Sequence, residues 1–141
     1  MRPALSAIAV AAALAVQGCS SDVVAGPVAP ELVAGTWGEE FSVPGGSFEM
    51  VLAAAGTDVS GNAHGCGEAG PCSTSTITGT SDEGGVHLIF VTTQTLPQPG
   101  TPFTEDFVGK LVDANTLKGT LVTVGTPQSG QVPLVITFHR E

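Results

Sequence analysis

The chain has 141 residues, with four basic and thirteen acidic side chains and a formal net charge of −9. This length provides one domain with a modest core, and the acidic balance excludes nucleic-acid binding, whose affinity depends on Lys and Arg that neutralise phosphates. It also excludes attraction to an anionic bilayer surface unless a covalent anchor holds the protein there. The 19 Gly and 10 Pro, with no Tyr, favour short strands and tight turns over helices.

The first eighteen residues have the organisation of a secretory signal peptide. Arg2 supplies a positive start, the apolar stretch ALSAIAVAAALAV follows, and small and polar residues precede Cys19. The apolar run is too short for a transmembrane helix, which needs about 20 apolar residues to cross the hydrocarbon core. We therefore expect residues 1–18 to be removed on export, which would leave three basic and thirteen acidic side chains and a net charge of −10.

The sequence VQGC, which ends at Cys19, resembles the lipobox of bacterial lipoproteins. In that family the cysteine is diacylated and becomes the new N-terminus; Val16, Gly18 and Cys19 match the pattern, whereas Gln17 departs from it. The resemblance implies a lipid-anchored protein of the bacterial cell envelope, and Ser20 directly after the cysteine implies sorting to the outer membrane. The alternative is an ordinary secreted protein, in which Cys19 would be an exposed thiol in an oxidising compartment.

Beyond the signal, the chain divides into a lipidated N-terminus with a flexible tether, residues 19–31, and one β domain, residues 32–141. Turn-forming sequences such as PGG, SDEGG and PQPGTP recur at close intervals in this domain. They delimit eight predicted strands, at about 34–43, 47–54, 57–64, 74–81, 86–95, 103–112, 115–124 and 131–139.

Eight short antiparallel strands predict an all-β, up-and-down barrel, because closure leaves no edge strand to recruit another chain; a β-sandwich is the alternative. A recurring glycine favours the barrel. It follows an apolar residue and one intervening residue at Gly61, Gly79, Gly109 and Gly119. Glycine within a strand permits the sharp bends and close backbone approaches that barrels require, although a general preference for glycine codons would also place it there.

The tripeptide Gly35–Thr36–Trp37 resembles the start of calycin barrels, the group that contains lipocalins, fatty-acid-binding proteins and avidins. In that group the indole of a Gly-x-Trp motif packs under the barrel floor, often against a basic side chain of the last strand. Arg140 ends the last predicted strand here. The resemblance implies structural roles for Trp37 and Arg140, with the guanidinium over the indole ring in a contact worth about 0.5–2 kcal/mol.

Other features of lipocalins and avidins are absent, and one motif is similar to a different group of barrels. The second lipocalin motif requires a tyrosine, and the aromatic-rich biotin pocket of avidins has no counterpart in a chain without tyrosine. The sequence AGTW, which ends at Trp37, is also similar to an early motif of the small barrel inhibitors of secreted bacterial metalloproteases. That resemblance implies a protein-binding role.

The segment HGCGEAGPC contains Cys66 and Cys72, the even pair that remains once Cys19 is lipidated. In an oxidising compartment we expect these two cysteines to form a disulfide across the loop, which would stabilise the fold by about 2 kcal/mol. The alternative is a zinc or copper site made of both cysteines, His64 and Glu68. Its spacing matches no established metal motif, so the prediction includes no metal and no cofactor.

Simple alternation places two carboxylates toward the barrel interior. Glu39 shares a strand face with Trp37, and Glu105 shares one with Phe103 and Phe107. Because an unpaired buried carboxylate is costly, one interpretation puts both groups at a bulge or at the barrel mouth. The other makes Trp37, Glu39 and Glu105 contacts for a ligand in the cavity. His87 and His139 fall on outward faces and are predicted to be surface imidazoles.

The chain contains none of the motifs GxSxG, HExxH or the phosphate-binding loop, which favours a protein that is not an enzyme. Two functions remain open. The first is binding of a small apolar or amphipathic molecule inside the barrel. The second is interaction with an envelope protein through exposed loops such as GCGEAGP and LPQPGTPF, around a filled interior.

Overall fold

The structure of the protein, a computed structural model, describes residues 30–39, 45–68, 70–83, 85–95, 97–125 and 133–141. They form a 3₁₀ turn, Pro30–Val33, and eight strands: β1 (Gly35–Glu39), β2 (Ser47–Ala55), β3 (Asp58–Cys66), β4 (Cys72–Asp82), β5 (Gly85–Gln94), β6 (Phe103–Asp113), β7 (Thr116–Val124) and β8 (Leu134–Arg140). The predicted signal peptide, Cys19 and the tether up to residue 29 lie outside the described residues. Within the described ranges, no helix has the length and apolar character needed to cross a membrane.

The eight strands pair antiparallel in chain order, and β1 also pairs with β8, so the sheet closes into a barrel. The closing register aligns Trp37 with Arg140 and Glu39 with Phe138. The prediction of an eight-stranded up-and-down barrel is confirmed, and the sandwich alternative is wrong. Closure provides every strand with two hydrogen-bonded neighbours and so removes the exposed sheet edge.

The strand boundaries follow the predicted turns, but the two strands beside the Cys66–Cys72 pair are longer than predicted. β3 ends at Cys66, beyond the predicted end at residue 64. β4 begins at Cys72, before the predicted start at residue 74, because Cys66 and Cys72 face each other directly across β3 and β4 and continue the ladder to the loop. Residues 40–43 of the first predicted strand and residues 131–132 of the last lie outside the described residues.

Side chains alternate between an apolar interior and a more polar exterior, as the period of a strand requires. In β5, Val86, Leu88 and Phe90 are buried, whereas His87 and Val91 are exposed. All the buried hydrophobic side chains of the described residues lie within one barrel: Val33, Trp37, Met50, Leu52, Val59, Ala63, Ile77, Val86, Leu88, Phe90, Phe107, Leu117, Ile136 and Phe138. The described residues therefore form one continuous hydrophobic core.

Two strand glycines allow neighbouring strands to approach closely. A Cβ atom at Gly61 would lie 2.1 Å from the Val51 carbonyl oxygen, and one at Gly79 would lie 2.0 Å from the His87 carbonyl oxygen. No side chain fits at such distances, so both positions require glycine. This close backbone approach is one of the two roles that the recurring glycine pattern predicts.

The other two glycines of the pattern, Gly109 and Gly119, face each other across β6 and β7. The edge of the Phe107 ring covers both, since a Cβ at either position would lie under 3 Å from the Phe107 Cζ atom. An aromatic ring over paired glycines supplies packing that the missing side chains do not.

The barrel has two different ends. At one end lie the 3₁₀ turn Pro30–Val33, the β2–β3, β4–β5 and β6–β7 turns and the end of β8. At the other end lie the β3–β4 loop with Cys66 and Cys72 and the start of β6 at Phe103. We call the first the closed end and the second the open end.

Candidate functional site

Trp37 forms the floor of the barrel at the closed end. Its side chain is fully buried, and its indole N–H donates a hydrogen bond of 2.8 Å to the carbonyl oxygen of Val33. The 3₁₀ turn therefore provides the acceptor that a buried indole requires. Trp37 is not among the residues that line the interior cavity, so it lies beneath that cavity.

Arg140 covers the same indole from below. Its guanidinium carbon lies 4.4 Å from the centroid of the Trp37 ring, the cation–π arrangement that the family resemblance implied. The guanidinium also donates to the carbonyl oxygens of Ala34 at 2.6 Å and Ala114 at 3.0 Å, and to that of Leu32. Arg140 thus ties the N-terminal turn, the β6–β7 turn and β8 together, and it closes the barrel beneath Trp37.

A cavity of about 410 Å³ occupies the open half of the barrel. Exposed residues at its rim, Gly67, Pro71, Phe103 and Leu134, show that it opens to solvent there. Pockets that hold small molecules have volumes of roughly 300–1,000 Å³, so the space suits one small ligand. The wall comprises Glu39, Gly46, Phe48, Gly65, Cys66, Gly67, Pro71, Ser73, Ser75, Phe90, Thr92, Phe103, Glu105, Leu121, Leu134, Ile136 and Phe138.

Glu105 is held in the cavity wall by a short chain of hydroxyl groups. The Thr92 hydroxyl donates a hydrogen bond of 3.2 Å to the Glu105 carboxylate, and the hydroxyl oxygens of Thr92 and Ser75 lie 2.8 Å apart. Since Thr92 donates to Glu105, the Ser75 hydroxyl is the donor in the second bond. Burial raises the pKa of Glu105, and the hydrogen bond from Thr92 opposes that rise.

Glu39 lies in the same wall on β1 and is half-buried. Burial, and secondly the negative charge of Glu105, raise its pKa to about 6. No hydrogen bond or ion pair to the Glu39 carboxylate is found among the described residues. Strand alternation assigned both carboxylates to the interior, and the structure brings them together there. They lie in the cavity wall, above the floor that Trp37 forms.

Cys66 and Cys72 lie at disulfide distance, with an S–S separation of 2.07 Å, at the rim of the cavity. The pairing matches the prediction. The His64 Nε2 atom lies 3.8 Å from the Cys66 sulfur, and the three potential ligand atoms lie within 4.8 Å of one another. Bonded sulfurs are not thiolates, which a zinc or copper site would need, and Glu68 is not part of this group.

On the outer surface of the barrel, the polar side chains do not converge on one site as they do in the cavity. His87 is exposed, and its Nε2 atom lies 2.6 Å from the Asp106 carboxylate on the neighbouring strand, at hydrogen-bond distance. His139 is also exposed, so both imidazoles lie outside as predicted. A second depression, of about 480 Å³, lies over strands β2 to β5 and is lined by small polar and apolar side chains together with Glu49 and His64. Its side chains present no matched set of charges to a ligand.

Sequence reasoning missed Thr92 and Ser75. Thr92 is 4% exposed, and it continues the inward series of Leu88 and Phe90 on β5. The Thr92 hydroxyl, at the end of the apolar face of β5, is the signal that could have indicated a polar group inside the barrel. Ser75 had no comparable signal, because β4 carries Ser or Thr on both faces.

Comparison of this chain with protein-family models, with curated proteins and with solved structures finds no match.

Proposed function

We propose that this protein is a lipid-anchored protein of the bacterial envelope, not an enzyme, whose barrel binds one small apolar or amphipathic molecule. The observation that carries the proposal is the cavity of about 410 Å³ within the open half of the barrel. Phe48, Phe90 and Phe138 contribute aromatic surface to its wall, and burial of apolar ligand surface against such a wall provides the driving force for binding.

The placement of Trp37 supports a relationship to calycin barrels. The buried indole lies on the first strand, and the guanidinium of Arg140 from the last strand lies 4.4 Å from the ring centroid. The alternative, an inhibitor or scaffold with a filled barrel, receives less support because side chains leave space at the open end. That alternative would rely on the β3–β4 and β5–β6 loops around the same opening.

Binding is tested by the native mass of residues 22–141, purified from the periplasm of an expression host. This segment includes every buried hydrophobic side chain of the described residues. We expect a reproducible mass excess over the denatured chain, because an apolar cavity that opens to solvent retains a small molecule from the host. The excess should disappear on denaturation, and its value would identify the ligand class. A mass equal to that of the bare chain, together with no binding of octylamine, octanol or octanoate, contradicts the proposal.

Lipidation is tested in the full chain by metabolic labelling with palmitate. We expect the wild type to incorporate label and Cys19→Ser to lose it, because the thiol of Cys19 is the proposed acyl acceptor. Ser21→Ala, two residues further along, should label like the wild type. Equal labelling of the wild type and Cys19→Ser would contradict the anchor.

A further inference from the structure

The described residues of the cavity wall carry negative charge and no positive charge. Among the described residues that line it, Glu39 and Glu105 are the only ionisable side chains, since Cys66 is paired with Cys72. The remaining wall is apolar or bears neutral hydroxyls. A carboxylate or phosphate ligand would meet two like charges in a partly desolvated space and would be repelled.

The two carboxylates reach the cavity from different parts of the wall. Glu39 belongs to β1 and Glu105 to β6, and in the closed barrel β8 and β7 lie between these strands. Thr92 fixes the Glu105 carboxylate from one side and leaves other lone pairs available. Glu39 lines the cavity, is half-buried and has no hydrogen-bond partner among the described residues, so its carboxylate oxygens are available to a ligand.

Keeping both groups in the wall lowers the stability of the ligand-free protein. Burial raises both pKa values. A carboxyl group whose folded-state pKa is raised favours the folded state below its unfolded pKa, and it loses that contribution as the pH rises through the folded pKa. At neutral pH the charged Glu39 therefore opposes folding unless a cation approaches it. A ligand that brings a positive charge would relieve this cost.

We propose that the molecule held by the barrel is a cationic amphiphile, with its apolar body against the aromatic wall and a protonated amino group between Glu39 and Glu105. This inference rests on the proposed function and narrows its ligand class. An ammonium group provides three N–H donors, enough for both carboxylates, and charge-assisted hydrogen bonds are about twice as strong as neutral ones. Fatty acids carry the opposite charge, so their binding is disfavoured.

The test compares three ligands that share one apolar chain and differ only in the head group: octylamine, octanol and octanoate. Binding to residues 22–141, oxidised at the cysteine pair, is measured by isothermal titration calorimetry at a pH of about 7.5. We expect octylamine to bind at least about tenfold more tightly than octanol, a difference of about 1.4 kcal/mol. Octanoate should bind more weakly than octanol.

The double variant Glu39→Gln and Glu105→Gln removes both charges and retains similar side-chain shapes. It should bind octylamine and octanol with affinities within about threefold of each other. Glu49→Gln, which removes an exposed carboxylate from the outer face of β2, should retain the amine preference. If the double variant does not fold, the ranking of the three ligands by the wild type still decides the question.

The pH dependence provides a second readout. The pKa of Glu39 is about 6, and an alkylamine stays protonated from pH 5 to 7.5, so a fall in pH removes charge from the protein and not from the ligand. Octylamine affinity should fall at least about threefold between these pH values, while octanol affinity should stay constant. Within the described wall, no His, Lys or Arg faces either carboxylate to add a competing titration.

The outcomes separate the two proposals. Equal binding of octylamine and octanol by the wild type, or an amine preference that survives in the double variant, overturns the cationic ligand and leaves the apolar carrier in place. Binding of octanoate more tightly than octylamine also overturns it. If none of the three compounds binds and the native mass shows no cargo, the proposed function fails and this inference fails with it.

Discussion

Replacement of Trp37 by alanine is expected to lower the free energy of unfolding by about 3–5 kcal/mol. The side chain is fully buried, donates its N–H to the Val33 carbonyl oxygen and supports the guanidinium of Arg140. Its removal would leave a cavity at the floor and an acceptor without its partner. Urea unfolding of residues 22–141 measures the effect. It is followed by circular dichroism, because the chain has one Trp and no Tyr and the variant therefore lacks the fluorophore that would report unfolding.

Two further variants serve as controls, one for the indole N–H and one for the outer surface. Trp37→Phe retains aromatic packing and loses the N–H donor, so we expect a smaller loss, of about 1–3 kcal/mol. Val108→Ala alters an outward side chain that is 57% exposed and should stay within about 0.5 kcal/mol of the wild type. A loss under about 1 kcal/mol for Trp37→Ala would remove the floor interpretation and the calycin comparison with it.

Gly79→Ala is expected to destabilise the barrel by about 1–3 kcal/mol, although glycine to alanine changes usually stabilise a compatible backbone. The added Cβ would lie 2.0 Å from the His87 carbonyl oxygen. The conflict is with backbone and not with a flexible side chain, so β4 and β5 would have to separate. Urea unfolding measures the change.

Gly70→Ala is the matched control, because the nearest atom to its added Cβ, the Gly67 Cα, lies 3.9 Å away. It should shift the free energy of unfolding by no more than about 0.5 kcal/mol. If Gly79→Ala proves as mild as Gly70→Ala, the recurring glycines are not needed for the close approach of the strands.

Period-two alternation was sufficient to assign Glu39 and Glu105 to the interior. It did not distinguish a paired position, a mouth position and a ligand contact, because these differ in what lies across the barrel and not along the strand. Glu105 accepts a hydrogen bond from Thr92 on β5; alternation turns Thr92 inward, but no local property of the chain places it beside Glu105. The acceptor of the Trp37 indole, the Val33 carbonyl, likewise depends on a 3₁₀ turn within Pro30–Val33, where no turn was predicted.

The sequence by itself determined the eight strands and the inward face of each carboxylate, because alternation and turn chemistry are local properties. It favoured the barrel over the sandwich and the disulfide over a metal site, and the structure decided both. Only the tertiary structure decided that a cavity of about 410 Å³ opens at the end opposite Trp37 and Arg140. It also brought Glu39 and Glu105 into one wall with no basic side chain among its described residues. The physical reason is that free interior volume and charge balance are sums over side chains from all eight strands, which no single stretch of sequence contains.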